Sequence, residues 1–194
     1  SALPAERDLF VVPDRRRAAV FDESLQLLRR VLRDDDVTFS GEFFSVRDVT
    51  ILPKPTPPLD IWLGGSSPAG YRRIGAYGDG WLGSFLTPAE AGRAVRDIRA
   101  AAESAGRTVP EDHYGINLTV GDGPLPAPVL AAIRKRRPDV DPAALVAADW
   151  PQLHRRLDDY IAAGLTKFVI RPAGGTHTSD FLDTFVKELL PREN

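Results

Sequence analysis

The sequence predicts an α/β fold of parallel strand–helix units, with a β-hairpin near residues 37–46. Three observations carry this. Short apolar runs alternate with amphipathic segments, and capping signals sit where an apolar run gives way to a helix. No repeat, low-complexity tract or polar linker divides residues 1–194, which read as a single domain. Strands each followed by a helix imply parallel pairing through right-handed crossovers. With 194 residues, the chain is shorter than the ~250 of a complete eight-stranded α/β barrel. Periodicity fits a small open sheet of four or five strands as well as half of a closed barrel.

The elements follow in order. Asp14 is placed to cap a first helix that runs to about Leu32, with Phe21, Leu25, Leu28 and Leu32 on one face. The acidic run Asp34–Asp36 ends it. Val37–Ser40 and Phe43–Val46 flank Gly41-Glu42 as a hairpin, and Val49–Leu52 adds an extended piece. Pro53, Pro55, Pro57 and Pro58 then enforce a stiff connector. Leu59–Leu63 reads as a strand. Ser67 and Pro68 open a helix to about Tyr77, stopped at Gly78. Gly80–Phe85 is the next strand, and Thr87-Pro88-Ala89-Glu90 is a capping box. The helix it opens carries Ala91, Val95, Ile98, Ala102 and Ala105 on one face and ends at Gly106. Tyr114–Val120 is a third strand, and helices are expected over Pro126–Arg136 and Pro142–Ala148. Asp149 caps another, with Leu153, Leu157, Tyr160 and Ile161 inward and Gly164 at its end. Lys167–Ile170 is a fourth strand, and a last helix spans Ser179 to about Leu190. Trp62 and Trp81 are expected to pack between sheet and helices.

Composition narrows the function classes. Apolar residues make up 43% of the chain, enough for a core. With 25 basic and 27 acidic side chains the net charge is −2, which gives no footprint for nucleic acid. No apolar run approaches the ~20 residues of a membrane span. Absence of cysteine excludes disulfides, a thiolate nucleophile and a zinc–thiolate site, and suits a cytoplasmic location. The start lacks a signal-peptide pattern, and the lack of methionine even at position 1 points to a processed, tagged or cut start.

Chemistry concentrates at two glycine-bearing turns. In Ile61-Trp62-Leu63-Gly64-Gly65-Ser66-Ser67-Pro68, a strand ends in two glycines and opens a helix. Gly64 and Gly65 let backbone amides approach an anion at the positive end of that helix, and the Ser66 and Ser67 hydroxyls add donors. The spacing is neither a GxGxxG nor a P-loop, and an ordinary strand–helix turn with a serine cap is the competing interpretation. Gly174-Gly175-Thr176-His177-Thr178-Ser179 is a rival cradle near the last strand. Arg171, ending that strand, is placed either for a ligand anion or for a structural ion pair. His113, His154 and His177 show no metal-ligand spacing, so no metal site is expected. His154 is read as a surface residue, the Arg134–Arg137 cluster as solvated, and no GxSxG elbow occurs.

Several of these segments form an ordered set: Thr38–Val46, Pro53-Lys54-Pro55, Ile61–Ser66, a helix with paired Arg72 and Arg73, and Tyr77-Gly78-Asp79-Gly80-Trp81. The set resembles the luciferase-like monooxygenase family of flavin- and deazaflavin-dependent oxidoreductases. Phe10–Glu23, Asp112–Val120 and Gly164–Pro172 fit more loosely, so the resemblance covers nearly the whole chain. It implies the second half of a (β/α)8 TIM barrel with its cofactor at the C-terminal ends of the strands. It also implies phosphate binding at Gly64 and Gly65 with Ser66 and Ser67 as neighbours, and a substrate-facing Ser84, while Asp79 and Gly80 shape their turn. The GGSS and GDGW motifs and the 21 arginines against 4 lysines lean toward the deazaflavin F420 over FMN.

The first strands of that family's barrel, which carry catalytic side chains, have no counterpart here, so the catalytic residues stay unassigned. A half barrel exposes an apolar inner face and unpaired strand edges. The expectation is therefore a small-molecule oxidoreductase completed by a second copy or a partner half-barrel, or else a fragment. The alternative is a non-catalytic half-barrel scaffold that dimerises or pairs with a partner chain.

Overall fold

The computed structural model describes residues 16–174 and 178–192, which group into two compact units divided between Ile61 and Trp62. In the first unit, helix α1 (Arg17–Arg33) precedes an antiparallel pair, β1 (Val37–Ser40) and β2 (Ser45–Val49). The second arm of the hairpin thus begins two residues later than Phe43. Glu23 explains why: its carboxylate accepts the amides of Glu42, Phe43 and Phe44 at 2.9, 2.8 and 2.7 Å. The turn is therefore tied to the helix, and its amides are spent before the ladder starts. Against the upward push of desolvation, those amides hold the Glu23 carboxyl below the usual range. A Cβ at Gly41 would lie 2.1 Å from Glu23 Oε1, so a side chain there would have to displace the carboxylate that ties the turn. Lys54 of the proline connector donates to the carbonyls of Val31 and Asp34. The expected Asp14 cap lies outside the described residues.

The second unit holds a five-stranded parallel sheet. Its elements are β3 (Trp62–Gly64), α2 (Pro68–Tyr77), β4 (Gly80–Ser84), α3 (Pro88–Ser104), β5 (Tyr114–Val120), α4 (Ala127–Arg136), β6 (Val146–Ala147), α5 (Trp150–Ala162), β7 (Lys167–Pro172) and α6 (Thr178–Leu189). Strand β4 lies between β3 and β5. Gly115–Val120 of β5 pair with β7, so β4 at Tyr114–Asn117 and β6 at Thr119–Val120 must share the opposite edge of β5. The parallel βα repeats and the separate hairpin are the architecture anticipated from the sequence.

Helix caps fall where expected. Ser67 accepts from Gly70, Asp149 accepts from Gln152, and Thr87 and Glu90 form a reciprocal capping box. Two assignments change. The segment over Pro142–Ala148 is a 3-10 turn at Pro142–Ala144 followed by β6, because Asp141 caps only that one turn and Val146 finds the end of β5. The strand expected at Leu59–Leu63 is confined to Trp62–Gly64, since only these residues have a partner in β4.

One face of the sheet packs under α2, α3 and α5. Trp81, Tyr114, Ile116, Leu118 and Val120 of the strands and Ile74, Val95, Ile98, Leu153 and Leu157 of the helices are all buried. Trp81 stands edge-on to Tyr71 at 6.0 Å. Trp62 departs from expectation. It points to the other face, where a Cβ on Gly80 would touch its ring at 2.5 Å, and it lies 5.1 Å from the His113 ring, partly exposed. Residue 62 is in register with Gly80, one place before Trp81, and neighbouring strand positions face opposite ways.

Tyr160 of α5 is fully buried and donates to the Leu86 carbonyl at 2.6 Å. Burial pushes its phenol up to about 12. The folded value lies above the ordinary ~10. Its contribution to stability is therefore intact below about pH 10 and is lost as pH rises toward 12. Tyr160→Phe is expected to cost about 1–2 kcal/mol near neutrality by leaving the Leu86 carbonyl without its donor. It should also reduce the loss of stability at alkaline pH. Urea unfolding of both chains near neutrality and in the alkaline range reads both effects.

Candidate functional site

The C-terminal ends of the parallel strands bring the candidate residues to one edge of the sheet. At the end of β3, Gly65 has φ +126°, and a Cβ there would meet nothing within 4 Å. Backbone conformation requires this glycine, and the space beside it is open. The turn is not loose, because Trp81 Nε1 donates to the Gly65 carbonyl at 3.0 Å from within the core. Ser67 Oγ accepts the Gly70 amide at 3.1 Å, so that oxygen is committed to capping α2. Pro68 carries no amide proton, and the Ser66 and Ala69 amides remain at the positive end of the helix. Ser66 is exposed. Gly64 differs from its neighbour: a Cβ would make only ordinary contact, 3.5 Å from the Leu82 carbonyl. Its side-chain direction opens onto the face of the sheet away from the helices.

That face carries a polar pair, Ser84 and Asn117. Ser84 of β4, Asn117 of β5 and Val169 of β7 are in register, and Thr119 and Arg171 form the next row toward the strand ends. Asn117 Nδ2 donates to Ser84 Oγ at 2.9 Å and to the Gly83 carbonyl at 3.1 Å. Arg171 is exposed, and among the described residues no carboxylate pairs with it. Sequence reasoning missed Asn117, although a carboxamide within the apolar run Tyr114–Val120 was a usable signal.

The turn after Ser84 is braced. Phe85 has φ +57°, a strained value for an aromatic residue. Arg137 donates to its carbonyl and to Glu90 Oε1, and pairs with Asp139. Arg136 stacks over the Phe85 ring at 4.7 Å. Hydrogen bonding from Arg137 holds the Glu90 carboxyl below its ordinary value. Arg137 is thus largely buried rather than solvated with Arg134–Arg136, because the strained turn offers it a carbonyl and a carboxylate together.

The opposite edge is structural. Arg107 donates to Gly75 O at 2.8 Å, Gly78 O at 2.9 Å and Asp79 Oδ1 at 2.9 Å. His113 Nδ1 lies 2.8 Å from the Asp79 carbonyl, which can only accept, so that nitrogen carries the proton. Asp79 and Gly80 therefore organise a turn at the N-terminal ends of the strands. His154 is half-buried between Glu188 and Arg192 rather than on the open surface, because α6 packs over it. No group of three or more metal-ligating side chains occurs among the described residues. Of the rival cradle, Gly174 has φ +110°, Thr178 and Ser179 begin α6, and Gly175, Thr176 and His177 lie outside the described residues. No described helix is long and apolar enough to cross a membrane.

Comparison with known proteins places these features in context. The model of the luciferase-like monooxygenase family matches residues 1–121. An uncharacterized protein of Mycobacterium tuberculosis is 32% identical over 118 residues, 61% of this chain and 41% of that protein. An F420-dependent glucose-6-phosphate dehydrogenase of Beutenbergia cavernae is 27% identical over an alignment of 214 residues, covering 93% of this chain and 62% of the enzyme. An F420-dependent secondary alcohol dehydrogenase, solved with an F420–acetone adduct, superposes with a TM-score of 0.74 at 16% identity. That superposition covers 95% of this chain and 64% of that one, and it shows a common fold. The chain spans less than two thirds of each of these relatives.

Proposed function

Because the chain belongs to the luciferase-like monooxygenase family, we propose that it supplies the phosphate-binding part of a flavin- or deazaflavin-dependent oxidoreductase, with F420 favoured over FMN. The observation that carries this reading is the β3–α2 turn. Gly65 combines a positive φ with open space, and the turn is pinned by Trp81 at the start of a helix. Such a turn fits a phosphate, because Ser66 and Ala69 flank the helix start, where the dipole is positive and amide and hydroxyl donors are at hand. In this reading Gly64 and Gly65 give the phosphate room, and Ser66 donates to it. Ser67 contributes by fixing the helix start and, through its hydroxyl proton, a further donor. Arg171 faces the substrate on the exposed side of the sheet, and Ser84 stands where the substrate and the cofactor ring meet. When bound, the cofactor supplies hydride transfer or oxygen activation; the chain binds, orients and excludes water.

A second element of the proposal concerns completion of the site. Trp62, Val169, Leu182 and Val186 are exposed on a sheet face, a sheet edge and α6. We place the remaining part of the barrel against these surfaces, carried by a longer form of the same polypeptide, a second copy or a partner half-barrel, and assign catalytic side chains to that part. The cytoplasm is the compartment this reading favours. The test is titration of the chain with F420 and with FMN, followed by fluorescence, with light scattering on the same samples. Saturable binding that weakens in Gly65→Val is the expected result. Indifference to both cofactors by a folded chain would remove the proposal, and a colourless dimer with no affinity for either would favour the scaffold.

A further inference from the structure

We propose that Asn117, oriented by Ser84, is a specificity residue that accepts a hydrogen bond from the imide N–H of the cofactor's heterocycle. The inference rests on the cofactor reading above. Both amide hydrogens of Asn117 are committed, one to Gly83 O and one to Ser84 Oγ. This fixes the carboxamide: the reverse orientation would set its oxygen against the Gly83 carbonyl, two acceptors facing each other. The oxygen, Oδ1, is consequently held away from β4, buried and with no partner among the described residues. Such an orphan calls for an explanation, because nearly all buried polar atoms in folded proteins are satisfied.

Among the described residues no donor is placed to meet it. The register neighbour on β7 is Val169, which is apolar. Val169 is itself partly exposed, so a ring entering from the open face meets a side chain it can displace rather than backbone. Ser84 Oγ already accepts from Asn117, which leaves its hydroxyl proton to donate outward. The pair therefore offers one acceptor beside one donor. That is the complement of an N–H next to a C=O, the edge that the pyrimidine ring of a flavin or deazaflavin presents. Spacing agrees. Neighbouring strands lie ~4.8 Å apart, so Asn117 on β5 sits ~10 Å across the sheet from the β3 turn. A sugar-alcohol chain joining a phosphate to its ring bridges a gap of this kind. An anionic group would be repelled by Oδ1, so the site selects a neutral edge.

The experiment is a chemical double-mutant cycle on the full chain. FMN and its N3-methyl derivative, which lacks the imide proton, are titrated into the unchanged chain, Asn117→Leu and Ser84→Ala. The unchanged chain is expected to bind FMN about tenfold more tightly than N3-methyl-FMN, the worth of one hydrogen bond. In Asn117→Leu, of similar volume, that preference should vanish because FMN weakens while the methyl derivative does not. Ser84→Ala should show an intermediate preference. Tm measured alongside reports the structural role of the Asn117 clip between β4 and β5, which acts equally on both ligands. A chain that binds FMN with no preference, or an Asn117→Leu variant that keeps it, overturns this assignment and leaves the cofactor reading standing. A chain that binds neither ligand nor F420 overturns both.

Discussion

Replacing Arg107 by alanine is expected to destabilise the sheet-bearing unit by about 3 kcal/mol, the lower part of the range for breaking a buried ion pair. The lower part applies because the Arg107 and Asp79 side chains keep 21% and 12% of their exposure. The loss has two sources. Asp79 would keep its charge without the guanidinium that meets it, and the Gly75 and Gly78 carbonyls would lose their donor together. Those carbonyls end α2, so the helix that starts at the glycine turn would fray at its far end. For a unit of this size the expected fall in Tm is about 10 °C, read by thermal unfolding followed by circular dichroism. Combining Arg107→Met with Asp79→Asn should recover part of it, because neither the carboxylate nor the packing of the arginine stem is then left unmatched. A fall of less than about 3 °C in the single variant would show that the pair is solvated. Cofactor affinity measured well below the transition should be unchanged, since this cluster lies at the N-terminal ends of the strands and the glycine turn at the other. In barrel folds that division separates stability from function.

Local signals made most of this fold legible. Ser67 with Pro68, Thr87 with Glu90, and Asp149 each mark a helix start by a hydrogen bond spanning three residues, which a sequence shows directly. What stayed hidden depended on partners far along the chain. The hairpin boundary is set by Glu23, 20 residues before Phe43. Val146 and Ala147 form a strand only because β5 extends past β4 and leaves an edge to pair with. Arg137 looked like one more surface cation until the strained Phe85 carbonyl and Glu90, 52 and 47 residues away, were brought to it. At the candidate site the same division holds. The glycine turn was visible as a motif. Asn117 became significant only through its register with Ser84, which no spacing encodes.

The largest functional effect should come from a change that leaves the fold intact or strengthens it. Ser66→Asp places a carboxylate just before the N-cap of α2, at an exposed position. Negative charge at a helix N-terminus is favourable by about 0.3–1 kcal/mol, so Tm should hold or rise slightly. The same charge would stand within about 5 Å of an anion held by the turn. At an effective dielectric of ~20 that contact costs on the order of 3 kcal/mol, reduced to about 2 by solvent at this open site. Affinity for a phosphate-bearing cofactor is therefore expected to fall roughly 30-fold. The penalty should shrink as salt is added, because screening acts on exposed charges. Ser66→Asn, with the same outline and no charge, should bind within about threefold of the unchanged chain, a difference of less than 1 kcal/mol. The two effects of Ser66→Asp have opposite signs, so loss of binding cannot be ascribed to unfolding. If Ser66→Asp binds F420 or FMN as well as Ser66→Asn does, the phosphate does not sit at the β3–α2 turn, and the role given to Gly64 and Gly65 falls with it.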